Sequence, residues 1–414
     1  MTNILAPQRY YRLPWSLSDN AISWLEVTTR CNLSCRGCYR DQKRGGHKTL
    51  DEIAADLRVF KRERASDCIS IAGGDPLVHP RICDIVKMVR KKGWKPIINT
   101  NGVRLTPKLL KELKAAGAFG FTFHVDTSQQ RKNFIASTEK DLNLLRQRFA
   151  EMLAAEGGLT CSFNQTVTSD TLSQIPDVVR WAMKHPDIVH TVVFILYREP
   201  GLFGEYDFYA GGEKVEVPVT YQKVATWGGK HAVRTPEAVA KIREADPAFE
   251  PSAYLNGTED ATSTKWLLGT RIASRKRTFG YVTPTFMETV QEGHRLLQKK
   301  WLAYAEPRFL SLGRVSALLM APFDRGMRRI ASEQAWELLK NPFSIIEPHY
   351  MQTFTVIQPS DVLPDGRISM CDGCPDMTVH NGRLAWSCRL EELKQHGRFL
   401  TAVPRKPKRL RAAG

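Results

Sequence analysis

Between Ile22 and Tyr197 short apolar strands alternate with amphipathic helices, and no other feature restricts the fold of this 414-residue chain so tightly. Ile22 to Thr28 has the alternation of a strand and runs directly into a cysteine-rich loop. Thr49-Leu50-Asp51-Glu52 is a capping box, with Ile53, Leu57 and Phe60 at helical spacing behind it. The unit then repeats. A strand is expected over Cys68 to Ala72, then a helix with Ile82, Ile85, Val86 and Val89 on one face, then a strand over Pro96 to Asn99. Thr106 as N-cap, Pro107 at the first helical position and Gly117 at the end bracket the next helix. Strands over Phe119 to Asp126, Thr160 to Val167 and Thr191 to Tyr197 follow, separated by helices around Leu145 and Val178. Strands joined by helices of this length imply a parallel sheet with right-handed crossovers. The periodicity itself allows an open sheet or a barrel.

The loop after the first strand carries Cys31, Cys35 and Cys38. Thiolates at that spacing can reach three irons of a cubane cluster and leave the fourth iron without a protein ligand, a place for chemistry. The competing reading is a zinc knuckle, but structural zinc needs four ligands, and only His47 is near in sequence to complete the set.

This spacing, with Tyr39 directly after the third cysteine, resembles the radical S-adenosylmethionine (SAM) superfamily, and the resemblance runs from about Ile22 to Tyr197. It implies a partial (βα)6 barrel with its site at the carboxyl ends of the strands. It also implies a [4Fe–4S] cluster on Cys31, Cys35 and Cys38 that cleaves SAM to a 5′-deoxyadenosyl radical, which abstracts hydrogen from a substrate carbon. Gly73-Gly74-Asp75-Pro76 stands where the family carries Gly-Gly-Glu-Pro, which cradles the methionine of SAM. By the same resemblance Tyr39 lies beside the adenine, while Thr100, Asn101, Asp126 and Asn164 at strand ends hold the cofactor or face the substrate. Asn and Gly there could equally serve only to turn the chain. His124 reads more readily as a hydrogen-bonded structural residue than as an acid or base.

Cys371, Cys374 and Cys388 form a second group, and Asn381-Gly382 between them is a hairpin signal that would return Cys388 to the first two. The group resembles auxiliary-cluster regions of radical SAM enzymes, especially that of the molybdenum-cofactor enzyme that rearranges GTP. A second [4Fe–4S] cluster is the implied cofactor. Where that enzyme has triphosphate-binding arginines this chain has Pro375, Asp376, Met377 and Thr378, which argues against a nucleoside triphosphate. Zinc with His380 or His396 is the alternative.

The other three cysteines, Cys68, Cys83 and Cys161, lie in apolar segments and read as small core residues. Cysteines destined for iron must stay reduced, so a cytoplasmic setting is expected, and Met1 to Leu17 has no apolar run of signal-peptide length. The formal net charge of +17, with Arg405, Lys406, Lys408, Arg409 and Arg411 in a solvated tail, would attract anionic partners. Without a recognisable RNA-binding motif, nucleic acid is disfavoured. The Leu-, Met-, Phe- and Arg-rich stretch from Trp301 to Ile330 reads as a helix covering the open side of the barrel, or as a basic amphipathic segment on a membrane surface.

The expected organisation is α/β: an N-terminal lead (1–20), a partial (βα)6 core (21–200), a mixed α-rich insertion or cap (201–350), a small C-terminal Fe–S domain (351–400) and a basic tail (401–414). The expected activity is SAM-dependent radical chemistry on a small-molecule, lipid or peptide substrate, with electrons from a donor such as flavodoxin or ferredoxin and peripheral membrane contact as an option. Peptide maturation is one alternative. A non-catalytic zinc or Fe–S protein that binds nucleic acid is the rival from another class.

Overall fold

The computed structural model describes residues 5–41, 45–197, 206–216, 233–363 and 365–405. In chain order the strands are β1 (Tyr11–Arg12), β2 (Ile22–Thr28), β3 (Cys68–Gly73), β4 (Lys95–Thr100), β5 (Gly120–His124), β6 (Thr160–Val167) and β7 (Thr191–Leu196). Then come β8 (Tyr206–Ala210), β9 (Glu213–Val215), β10 (Ala253–Leu255), β11 (Trp266–Ala273), β12 (Thr278–Tyr281) and β13 (Tyr350–Ile357). Strands β2 to β7 lie side by side in sequence order, each parallel to its neighbour. Their crossovers are α1 (Leu50–Glu63), α2 (Ile82–Lys91), α3 (Pro107–Ala115), α4 (Glu139–Glu156) and α5 (Ile175–Met183).

The local signals explain the boundaries. Thr49 Oγ1 accepts from Glu52 N while Glu52 Oε2 accepts from Thr49 N, the reciprocal pair that starts α1. Thr106 accepts from Leu109 N, Pro107 occupies the first helical position, and Gly117 adopts φ +100°. The apolar faces of α1, α2 and α3 are wholly buried at Ile53, Leu57, Ile85, Val86, Val89, Leu110 and Leu113, against strands whose outer faces are equally apolar. The inner faces behave differently. Alternate residues of β2, β5, β6, β7, β11 and β13, from Trp24 through Thr122, Ser162, Val193 and Thr270 to Thr355, line one cavity, so the sheet curls around it.

The sheet does not stop at β7. β13 adds in parallel to β7, β11 pairs antiparallel with β13 over eight residues, and β10 and β1 follow, giving an eleven-stranded sheet with β12 beside β11. The region expected to be a mixed α-rich insertion or cap therefore supplies three strands, β10 to β12, to the main sheet, and β13, expected at the start of a separate C-terminal domain, belongs to it too. Buried polar groups make this join. Arg271 donates from Nε to Gln352 Oε1 (2.9 Å), and Gln352 Nε2 donates to Ala182 O and Val189 O at 2.9 and 2.7 Å, tying β11 and β13 to the end of α5.

The expected tail is ordered at its start, where Thr401–Pro404 pairs antiparallel with β8; its remaining basic residues from Lys406 lie outside the described residues. β8 follows directly on residues 201–205, which lie outside the described residues. The stretch from Trp301 to Ile330 forms the short helices Pro307–Leu310 and Gly313–Met320 and the start of Arg325–Lys340. Their buried residues Ala317, Met327 and Ile330 pack with Ile272, Phe279 and Val282 in a separate apolar cluster beside β11 and β12.

Candidate functional site

The cysteine loop leaves the carboxyl end of β2 and lies over the barrel mouth. Arg36 N donates to Ser128 O at 2.9 Å, and Gly37 takes φ +69°, turning Cys38 back toward Cys35. Cys31 Sγ accepts from Leu33 N (3.4 Å) and from Asn101 Nδ2 (3.6 Å), and the same amide donates to Asn32 Oδ1 at 2.8 Å. Asn101 thus holds the loop onto the end of β4.

Gly73 and Gly74 run against this loop. A Cβ on Gly73 would stand 2.1 Å from Thr28 O, and one on Gly74 would stand 2.2 Å from Arg30 O. The closeness is used: Gly74 N donates to Thr28 O at 2.8 Å and Asp75 N to Arg30 O at 2.9 Å. Sequence reasoning assigned these glycines to close approach by SAM; the structure shows that they also admit the backbone of the cysteine loop.

Asp75 does not face the cavity. Its carboxylate accepts from Leu77 N (2.9 Å), Thr100 Oγ1 (2.8 Å) and Asn101 N (2.8 Å), so it joins the ends of β3 and β4. Burial raises its pKa, and these donors oppose the shift. Asp126 is also set behind the wall. It accepts from His124 Nε2 (2.7 Å), Thr166 N (2.9 Å) and Ser128 N (3.0 Å). Burial would raise its pKa, but His124 and these hydrogen bonds hold it well below the usual carboxylate range. Both carboxylates position neighbours that do line the cavity: Thr100 and Asn101 for Asp75, His124 and Thr166 for Asp126.

On the other side of the mouth, the hairpin Met377–His380 with Arg383–Trp386 forms as the Asn-Gly signal implies, with φ +48° at Asn381 and +73° at Gly382. Ser387 N donates to Asp376 O, which returns Cys388 toward Cys374. Gly373, at φ +68°, presses on the N-terminal lead, where a Cβ would meet Trp15 O at 2.1 Å. Asn20 Nδ2 donates to Gly373 O (2.7 Å) and Arg64 Nη2 to Cys374 O (3.1 Å). His380 and His47 do not line the cavity; His47 Nδ1 is 2.9 Å from Thr28 Oγ1.

One cavity of about 630 Å³ connects the two groups. All six cysteines border it, together with Tyr39, Gly73, Gly74, Thr100, Asn101 and Asn164. Of the residues expected to bind SAM or the clusters, only Asp75 and Asp126 are withheld from it. Burial pushes the Cys31 thiol up to about 11 and the Cys388 thiol to about 12, so metal binding must expel protons from neutral thiols. Among the described residues, no three His, Cys, Asp or Glu side chains converge on one ion-sized point. In a cubane each thiolate binds its own iron. The all-thiol donor sets and the N–H donors on Cys31 Sγ fit such clusters.

Sequence reasoning missed several cavity residues. Asp376, which burial raises to about 6 although Arg64 opposes the shift, stands beside Cys374; Trp266, Met287, Tyr304 and Met351 form apolar wall. Asp376 has no local signal, and the wall residues come from elements whose partners are distant in sequence. Also missed was the ion network beneath the loops. Arg40, over the Trp24 ring at 5.3 Å, pairs with Glu26 and with Glu391 (3.4 Å), and Lys394 pairs with Glu26 at 2.9 Å. It links the residue two places after Cys38 to the helix Leu390–His396 that follows Cys388.

Residues 25–182 match the family model described as the radical SAM superfamily, so this segment is a radical SAM domain. Among curated relatives, a tungsten-containing aldehyde ferredoxin oxidoreductase cofactor-modifying protein of Pyrococcus furiosus is 29% identical over 174 residues, 39% of this chain and 47% of that protein. An AdoMet-dependent heme synthase of Methanosarcina barkeri is 26% identical over 223 residues, 50% of this chain and 56% of its own. The chain thus spans about half the length of these relatives. Among solved structures, Streptococcus suis SuiB bound to precursor peptide SuiA aligns with 49% of this chain and 43% of its own at 19% identity and a TM-score of 0.36.

Proposed function

We propose that the protein is a radical SAM enzyme whose substrate sits between two [4Fe–4S] clusters. Cys31, Cys35 and Cys38 would hold the SAM-binding cluster, and Cys371, Cys374 and Cys388 the auxiliary one. The observation that carries this reading is the single cavity bordered by both cysteine groups. When bound, the first cluster and SAM supply a 5′-deoxyadenosyl radical that abstracts hydrogen from a substrate carbon. The chain's own residues do the rest. Gly73 and Gly74 leave backbone room for the methionine end of SAM, Asn101 fixes the cysteine loop, and His124, oriented by Asp126, presents its ring to the cavity. Tyr39, Thr100 and Asn164 complete the polar wall around SAM. The name of the heme-synthase relative supports SAM as the co-substrate.

The wall formed by Trp24, Trp266, Met287 and Met351 suits a lipid or another largely apolar substrate, and a small donor such as flavodoxin or ferredoxin would supply the electron. No described helix is long and apolar enough to cross a membrane. The test is anaerobic reconstitution with iron and sulfide, then SAM and dithionite, with 5′-deoxyadenosine as the product measured. Wild-type protein forms it and Cys31→Ala/Cys35→Ala/Cys38→Ala does not. Bound zinc and no SAM cleavage by the wild type would refute the proposal.

A further inference from the structure

The helical unit from Leu312 to Ile346 buries one side and leaves the other apolar. In the helix Gly313–Met320, Gly313 and Ala317 face inward, Gly313 against His349 O and Ile272, while Val315, Leu318 and Leu319 are exposed. In the helix Arg325–Lys340, Met327, Ile330, Ala331 and Gln334 are buried and Trp336 and Leu339 are exposed. The turn between the helices exposes 82% of Phe323, and the 3-10 turn Pro342–Ile346 exposes 82% of Phe343 and 81% of Ile346. Arg314 holds this turn against the first helix, donating to Ile345 O (2.7 Å) and Ser344 O (2.8 Å). The inward sides share one apolar cluster, and the second helix packs against both the first helix and the Pro342–Ile346 turn, so the exposed side chains belong to one contiguous unit.

The exposed apolar face has a basic border. Arg308, Arg325, Arg328, Arg329 and Lys340 are exposed around it, while the nearby Glu333 and Glu337 are engaged by Arg277 at 2.9 and 3.0 Å. The face adjoins the cavity: in the helix Pro307–Leu310, Leu310 lines the cavity and Phe309, its neighbour, is exposed with Arg308 over its ring at 4.8 Å. Large apolar side chains that protrude from turns, rather than line a groove, suit a deformable apolar phase, and cations beside them favour an anionic surface.

We propose that this face, with Leu319, Phe323, Leu339, Phe343 and Ile346 as its apolar contacts and Arg325 and Arg329 as its cationic ones, docks on an anionic lipid bilayer. Docking gives the apolar cavity a route to molecules held in the membrane. It deepens the lipid-substrate reading above, and its readout needs neither cluster nor turnover, so either idea can fail alone.

Vesicle flotation of the full chain tests it, with phosphatidylcholine alone and with phosphatidylcholine containing phosphatidylserine. Wild-type protein floats with the anionic vesicles and much less with the neutral ones. Phe323→Ser/Phe343→Ser/Ile346→Ser lowers the partition coefficient roughly tenfold or more, and Arg325→Gln/Arg329→Gln removes most of the preference for phosphatidylserine. Neither variant changes 5′-deoxyadenosine formation. Absence of wild-type flotation, or equal flotation of wild type and both variants, overturns the proposal. So does a wild-type dimer in solution that the Phe323/Phe343/Ile346 variant converts to monomer without any vesicle binding, since a second copy then covers the face.

Discussion

Gly74→Ala separates two reasons for the double glycine. The added Cβ would stand 2.2 Å from Arg30 O, 2.5 Å from Arg30 C and 2.6 Å from Thr29 O, all backbone atoms with no flexible end to move aside. Relief requires the end of β3 and the start of the cysteine loop to part by about 1 Å. That strains the packing by about 1–3 kcal/mol. It also stretches Gly74 N to Thr28 O and Asp75 N to Arg30 O, two hydrogen bonds of about 1 kcal/mol each. The expected loss is about 3–5 kcal/mol, seen as a fall in thermal midpoint of roughly 3–6 °C. More specifically, the cysteine loop should lose its seat. Anaerobic iron loading at Cys31, Cys35 and Cys38 should drop, with the Cys371 group unaffected. If the variant melts like the wild type, loads iron fully and loses only affinity for SAM, the glycines serve the cofactor alone and the packing argument is refuted.

Arg40→Met should destabilise the protein by about 3 kcal/mol, because Glu26 and Glu391, each 4% exposed, would keep their charges with Lys394 alone among the described residues to compensate. Adding Glu26→Gln should restore part of the loss, and a double-mutant cycle by thermal denaturation that shows no coupling would count against the network. His190 supplies a pH dependence. Its Nδ1 accepts from Cys161 N at 2.9 Å, and burial lowers its pKa from 6.5 to about 4. The folded state therefore binds fewer protons than the unfolded one between those values, so this contribution to stability is present above pH 6.5 and lost as pH falls toward 4. The full loss is about 3 kcal/mol. His190→Asn, which keeps an acceptor, should flatten that part of the stability profile; an unchanged slope would contradict the assignment.

What was legible in the chain followed from local signals. The capping box at Thr49, the Thr106-Pro107-Gly117 bracket and the Asn381-Gly382 turn each need only adjacent residues, and each forms as read. The six parallel strands were legible because their helices intervene at regular spacing. β11 and β13 were not, because each becomes a sheet strand only by finding the other across a long helical segment, and the Arg271–Gln352 contact that fixes them is non-local. The site shows the same division. The six cysteines were found by spacing and the strand-end Thr100, Asn101 and Asn164 by family resemblance, and all reach the cavity. Asp75 and Asp126 sit at strand ends too, but both turn back to accept backbone N–H groups, an outcome that one-dimensional position does not determine. The Trp301–Ile330 stretch reads as a cap over the barrel or as a membrane-surface segment; Leu302, Tyr304 and Leu310 line the cavity, whereas Phe323 is exposed and does not close it.

The most direct test of the account is iron per chain after anaerobic reconstitution, measured for wild type, Cys31→Ala/Cys35→Ala/Cys38→Ala and Cys371→Ala/Cys374→Ala/Cys388→Ala. Two cubanes facing one cavity predict about eight irons in the wild type and about four in each variant, each remaining four with a [4Fe–4S] electron paramagnetic resonance signal after reduction. About four irons in the wild type, unchanged when the second group is removed, would contradict the two-cluster cavity.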